Sequence, residues 1–275
     1  MPEGDNLFLA AKKLHAALAG RKITRFATPL PALKERDVEG RRVTLARAQG
    51  KYVVIELEDG RALLVHLRMQ GRFIVQPKEA LTDRRQQRLA QAPRWDDPAT
   101  SLILETEASV VQLLNAAVLE LLPLRDVERQ LAELGPDILA PDYDASAVVA
   151  KLREHPELTI AEAIMRQSIV AGIGNVYKSE TLFLEKVSPF VSVAALDDAT
   201  LHRILKRARE LMRRNLRPGP RRTTFGSHAS DNYWVYERSG KHCLKCDARV
   251  GMRRQGALQR STYFCPDCQS VPPGS

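Results

Sequence analysis

Residues 5–19 set apolar side chains at Leu7, Ala11, Leu14 and Leu18. That spacing lines one face of a helix, and Asp5 or Asn6 is the residue type that caps such a start. The pattern then changes to short runs rich in Val, Ile and Leu: "RKITRF", "RRVTLARA", "KYVVIEL", "ALLVHL", "RFIVQ" and "TSLILET". Gly, Asp or Pro separates the runs, which predicts an antiparallel sandwich or barrel attached to the first helix. Around "ELGPDILAPDYDAS" two Pro, a Gly and several Asp break the texture, the signature of a linker. Helical spacing returns near 145–154, 159–168, 175–184 and 197–216, and the chain closes on a hairpin-like segment that carries its cysteines.

Charge and cysteine usage sharpen this picture. Lys and Arg total 42 against 33 Asp and Glu, a formal charge of +9 on 275 residues, and such an excess favours a polyanionic partner. Between Arg203 and Arg222 stand nine basic residues and one acid, Glu210, whereas a merely solvated face mixes both signs. No apolar run approaches the roughly 18 residues of a membrane helix, and the start lacks a secretory signal, so the chain is expected to stay where it is made. The four Cys fall in the last 33 residues as Cys243-x2-Cys246 and Cys265-x2-Cys268, with 18 residues between the pairs. Two such pairs supply four thiolates for one structural Zn2+ on a ribbon hairpin, and no ligand position is left open for chemistry. Arg249, Arg253, Arg254 and Arg260 on that hairpin suit a phosphate backbone.

Three further signals are weaker one by one. "QSIVAGIGNVYKSE" joins two helical segments through a turn with Gly172 and Gly174 and puts Asn175 at the next helix start, where backbone N–H groups and the helix dipole favour an anion. Lys51 follows Gly50 at the head of a strand, and His66, Arg68 and Met69 stand at a strand end before Gly71. An edge lysine that discourages sheet pairing and a core methionine are the plain alternatives. "MPEGD" opens the chain with a small second residue, which permits removal of Met1 and leaves Pro2 as a secondary amine able to form an iminium ion with an aldehyde. Glu3 beside it is a proton carrier.

Taken in order, "PEG", "GKY", "HLRM", "GIGNVYKSE" and "QRSTYFCPDC" resemble the DNA glycosylase/AP lyase family of formamidopyrimidine-DNA glycosylase and endonuclease VIII, over nearly the full chain. The resemblance implies an α+β fold: an N-terminal helix plus β-sandwich domain, then a helix-two-turn-helix domain with a C-terminal β-hairpin zinc finger. The expected boundaries are 1–134 for the catalytic domain, 135–145 for the linker, 146–236 for the helical domain, 237–270 for the zinc finger and 271–275 for a tail. It also implies roles: Pro2 as nucleophile at C1′, Glu3 as acid/base and Lys51 as a catalytic phosphate contact. Asn175, Arg260 and His66 become phosphate contacts, Arg68 part of the DNA interface, and Met69 the side chain inserted into the base stack. Base excision, then β- and δ-elimination, is the implied chemistry. The implied partner is double-stranded DNA with damaged bases or abasic sites, bound by a monomer in a bacterial-type cytoplasm at the nucleoid. The alternatives are a non-catalytic DNA-damage binder of the same fold and an oxidised-purine glycosylase.

This chain departs from its relatives in three places. Asp5 and Asn6 replace the family's usual Pro-Glu, no Arg-Arg-Phe-Gly loop is visible in "ETEASVVQLLNAAVLELL", and "RPGPRRTTFGSHASDNYW" does not match the oxidised-purine reader. "PEGD" looks more like the endonuclease VIII branch, so oxidised pyrimidines are the expected substrates.

Overall fold

The computed structural model describes residues 2–34, 37–79, 97–225 and 231–269. The chain divides into two compact units, Met1–Glu133 and Leu134–Ser275. The expected tail, 271–275, lies outside the described residues.

The first unit opens with α1 (Gly4–Leu18), which buries Leu7, Ala11, Leu14 and Leu18 as its spacing requires. Two four-stranded antiparallel sheets follow. One has the order β1 (Arg25–Ala27), β6 (Thr100–Glu105), β7 (Ser109–Leu114), β5 (Arg72–Pro77). The other runs β2 (Val43–Gln49), β3 (Tyr52–Leu57), β4 (Arg61–His66), β8 (Val118–Pro123). Alternate residues from both sheets, among them Val53, Ile55, Leu63, Val65, Leu102, Leu104, Val111 and Leu113, meet α1 in one core. The one-turn α2 (Pro31–Lys34) adds Leu33 to that core. A helix not anticipated from the sequence, α3 (Leu124–Leu131), packs on β4 and β8. It lies on the face away from the core, which is why β4 is buried at four consecutive positions instead of alternating.

Several expected strands shift. "RKITRF" yields only Arg25–Ala27. β7 and β8 occupy the stretch "ETEASVVQLLNAAVLELL", and residues 115–117 connect them, with Asn115 at φ +47°.

In the second unit α4 (Ala145–Arg153), α5 (Ile160–Ala163), α6 (Asn175–Leu184) and α7 (Asp198–Arg214) enclose Ile138, Val148, Leu152, Ile160, Ile164, Tyr177, Leu201, Ile204, Leu205 and Met212. Caps explain the starts: Asp144 accepts from Ser146 N–H and Asp197 from Thr200 N–H. Thr159 and Glu162 exchange contacts in a Thr-x-x-Glu box that opens α5. The helix expected over 159–168 ends at Ala163 because the chain then turns toward α6. Residues 135–138, read from the sequence as linker, are tied to this unit: Gly135 N–H donates to Gln167 O and Ile138 N–H to Ala171 O. A Cβ at Gly135 would sit 2.3 Å from Ile169 O, so only glycine fits that approach. β9 (Gly251–Gln255) and β10 (Arg260–Phe264) form the C-terminal hairpin.

Candidate active site and nucleic-acid interface

In the first unit, Glu3 is the N-cap of α1 with extended backbone, and its carbonyl accepts from Asn6 and Leu7 N–H. Its side chain is fully buried yet makes no capping hydrogen bond. Pro2 directly precedes it, partly exposed. Asp5 is buried in the first turn and Asn6 is exposed.

Lys51 lies in the two-residue turn between β2 and β3, not at the head of the strand as the sequence suggested; Gln49 and Tyr52 are the closing pair. Gly50 has φ +57°, the first central position of a hairpin turn that demands positive φ. The register then brings His66 to the same end of the sheet: Tyr52 pairs with His66 across β3 and β4, and their rings meet edge to face at 4.8 Å. Past His66 the chain turns tightly, Gly71 N–H reaching Leu67 O at 3.0 Å. A Cβ at Gly71 would lie 2.7 Å from that oxygen, so the turn excludes any other residue. Arg68 adopts φ +47° in this turn, and Met69 is 60% exposed, although methionine side chains usually fill cores.

His66 Nδ1 accepts the Arg68 N–H at 3.0 Å, which leaves its proton on Nε2. Burial, then the Lys51 and Arg68 cations, pushes His66 down from its ordinary value near 6.5 to about 4. His66 therefore offers a neutral N–H donor between two cations. A histidine NMR titration is expected to show a midpoint near 4 and no His66 step between pH 5 and 8. Because the folded pKa lies below the unfolded one, the stability that neutral His66 contributes is present above pH 6.5 and is lost as pH falls toward 4. A midpoint at 6 or above would contradict this picture.

In the second unit the two-turn segment is organised by Gln167. Its Nε2 donates to Met165 O and Ile173 O, while its Oε1 accepts Gly172 N–H. Gly172 has φ +102° and Gly174 caps α6, so Asn175 becomes the first helical residue, almost wholly buried. Asn175 Nδ2 donates to Ser261 Oγ at 3.1 Å. Ser261 follows Arg260 at the start of β10, so Asn175 and the Arg260 strand form one site. Lys178 and Glu180, which the sequence offered only as parts of a motif, are both buried. Glu180 accepts from the Thr223 hydroxyl and from the N–H groups of Trp234, Val235 and Tyr236. Burial raises this carboxyl above its ordinary value, and those four donors oppose the rise. Glu180 thus anchors the segment that leads into the cysteines.

Cys243, Cys246, Cys265 and Cys268 converge with all sulfurs within 4.8 Å of one another. Sγ–Sγ distances are 3.9 Å for Cys243–Cys268 and 3.4 Å for Cys246–Cys265. A tetrahedral zinc with Zn–S bonds of about 2.3 Å has edges of about 3.8 Å, so the donor set fits the ion. The Ala248 N–H lowers the Cys246 thiol, while burial raises Cys265 and Cys268, a penalty that a bound divalent cation removes.

The basic stretch 203–222 differs from its sequence reading. Glu185, outside the stretch, pairs with Arg203 at 3.6 Å and Arg207 at 2.8 Å. Arg209 donates to Ala140 O and lies over the Tyr143 ring, Arg214 lies over Phe225, and Arg221 over Tyr177. These contacts tie part of the run to the helical unit, while Lys206, Arg213 and Arg217 stand exposed.

The family profile "Formamidopyrimidine-DNA glycosylase N-terminal domain" matches residues 1–112, and "Formamidopyrimidine-DNA glycosylase H2TH domain" matches 134–226. The chain belongs to the formamidopyrimidine-DNA glycosylase/endonuclease VIII family, and is an enzyme of the bifunctional DNA glycosylase/AP lyase class. Within the family it is 36% identical to "Probable endonuclease 8 2" of Streptomyces coelicolor, over 99% of this chain and 95% of that one. It is 30% identical to the "DNA-(apurinic or apyrimidinic site) lyase Nei2" of Mycolicibacterium smegmatis, over 98% of this chain and 100% of that one. The fold also matches the Lactococcus lactis enzyme solved with abasic-site DNA, at TM-score 0.79 and 22% identity, covering 98% of this chain and all of that one.

Proposed function

We propose that this enzyme removes oxidised pyrimidines from duplex DNA and cleaves the strand by β,δ-elimination through an iminium on Pro2. The observation that carries the proposal is Glu3: a fully buried acid directly after Pro2, at the N-terminus of α1. Pro2 nitrogen attacks C1′ as the base departs, and Glu3 gives a proton to the ring oxygen so that the sugar opens to the iminium. The C=N bond acidifies C2′–H. Loss of that proton expels the 3′-phosphate, a second elimination expels the 5′-phosphate, and hydrolysis returns the amine. Lys51, Arg68 and neutral His66 hold phosphates near the lesion, Asn175 and Arg260 hold the flanking ones, and Met69 fills the gap left by the extruded nucleotide. The cysteine site holds Zn2+ in a structural role.

The pyrimidine preference is supported by the relatives named endonuclease 8, 36% and 32% identical, and by the three-residue β7–β8 connection. A bacterial, cytoplasmic, nucleoid-associated monomer is the corresponding cellular picture; among the described residues no helix is long and apolar enough to cross a membrane. The test is a panel of duplexes with one defined lesion each. A hydroxylated or ring-saturated pyrimidine should exceed 8-oxoguanine opposite cytosine in kcat/KM by about tenfold, roughly 1.4 kcal/mol of differential transition-state binding. The product should be a one-nucleotide gap with phosphate at both ends. Preference for 8-oxoguanine would overturn the substrate assignment, and a product stopping at β-elimination would overturn the second step.

A further inference from the structure

Lys178 is 1% exposed, a placement lysine almost never has without a task for its ammonium. Its Nζ donates to Asn175 Oδ1 at 2.6 Å, to Thr262 Oγ1 at 2.7 Å and to Ser261 O at 3.0 Å. An ammonium carries three donors and no acceptor, so each of these groups faces it as an acceptor. Two consequences follow from that chemistry. First, the carboxamide of Asn175 has only one orientation. Its oxygen must face the ammonium, so Nδ2 points the other way, where one hydrogen goes to Ser261 Oγ and the second is directed away from Lys178. Second, the same ammonium joins α6 to β10 at the two residues directly after Arg260. The ammonium thereby helps set the separation of Asn175 from Arg260, together with the Asn175–Ser261 bond and the Tyr263 N–H bond to Ser179 Oγ.

We propose that Lys178 is a positioning residue for DNA-phosphate binding: it fixes Asn175 with its amide N–H outward and aligns it with Arg260, without itself touching DNA. The proposal rests on Asn175 being a phosphate contact. A side chain that donates to Asn175 Oδ1 is what this task needs, because an apolar side chain there would leave that oxygen without its buried donor and let Asn175 turn its oxygen outward, toward the phosphate it should hold.

The test is a double-mutant cycle on the full-length, zinc-loaded enzyme with an abasic-analogue duplex, read as Kd by fluorescence anisotropy, with melting temperature and zinc content measured for each variant. Asn175→Ala is expected to weaken binding by about tenfold, the effect of losing a hydrogen bond to a charged group. No effect would sink the phosphate-contact reading itself, before Lys178 is in question. Lys178→Met is expected to cost about as much as Asn175→Ala, and the double variant no more than either single one, because both remove the same oriented donor. Lys178→Gln, neutral but still a donor toward Asn175 Oδ1 and Ser261 O, is expected to recover binding to within about threefold of wild type. Full additivity of Lys178→Met and Asn175→Ala overturns the proposal. So does a Gln variant as weak as the Met variant while zinc and melting temperature are kept, since charge and not orientation would then be what matters. If Lys178→Met does not fold, the cycle is run with Lys178→Gln. If neither variant folds or holds zinc, Lys178 is part of the scaffold alone and the proposal fails.

Discussion

Borohydride added to the enzyme with an abasic-site duplex is expected to trap a one-to-one covalent adduct, and a single residue retained ahead of Pro2 is expected to abolish it. The reason lies in the electronics of one nitrogen. As a terminal secondary amine, Pro2 has a lone pair free to attack C1′, and the product iminium accepts hydride to give a stable amine. Behind a peptide bond the same nitrogen delocalises its lone pair into the carbonyl and is no nucleophile. Strand cleavage should therefore fall by about 10³-fold or more in the extended enzyme, more than 4 kcal/mol of barrier. Glu3→Gln keeps the amine and loses the proton carrier, so trapping should persist but slow by about 10²- to 10⁴-fold. Peptide mapping is the decisive measurement. A sugar remnant on Pro2 is the expected result, whereas a remnant on Lys51 Nζ would move the nucleophile to the β2–β3 turn and leave Pro2 without a role.

The residues that this chemistry needs were legible in the sequence to different degrees, and for physical reasons. The α1 stripe, the runs that became β3 and β4, and the start of α6 were readable because local spacing and glycine placement determine them. The cysteine quartet was readable because metal geometry fixes its spacing, and the four sulfurs do converge. Lys51 was assigned to the wrong local element: period-two alternation continues past a strand end, while the turn is set by the positive φ of Gly50. β7 is hard to read because all six of its positions are buried, which erases the alternation that identifies a strand, while β8 buries only Leu119 and Leu121 and α3 only Val127 and Leu131, too few positions to make a pattern. The arginines of α7 looked like a DNA face because the acid that pairs with two of them, Glu185, lies 18 residues before Arg203 in sequence. Long-range pairing of that kind leaves no local mark. The same holds for Lys178, whose acceptors at Ser261 and Thr262 are supplied by another element.

Zinc removal should produce the other large effect, and the hairpin explains why. β9 and β10 form an isolated two-stranded sheet joined by a four-residue turn, an arrangement with marginal stability in water. What packs beneath it is small: Phe183, Val235, Val250 and two of the cysteines themselves, Cys243 and Cys265. Zinc-finger peptides draw about 10–16 kcal/mol from metal binding, far more than that cluster supplies. Chelation, or Cys246→Ser, should therefore melt β9 and β10, and zinc content and circular dichroism would report it. The first unit should keep its own transition, since its core contains no residue of the hairpin. The DNA consequence is larger than the loss of Arg260 alone. Ser261 and Thr262 carry the acceptors for Lys178, and Ser261 holds Asn175, so melting β10 releases the amide on α6 at the same time. Both proposed phosphate contacts, Arg260 and Asn175, then fail together, and affinity for an abasic-analogue duplex should fall by about 10²-fold or more, at about 1.5–3 kcal/mol for each charged hydrogen bond. Metal-free enzyme that bound this duplex with unchanged Kd would show that neither the hairpin nor Asn175 grips DNA.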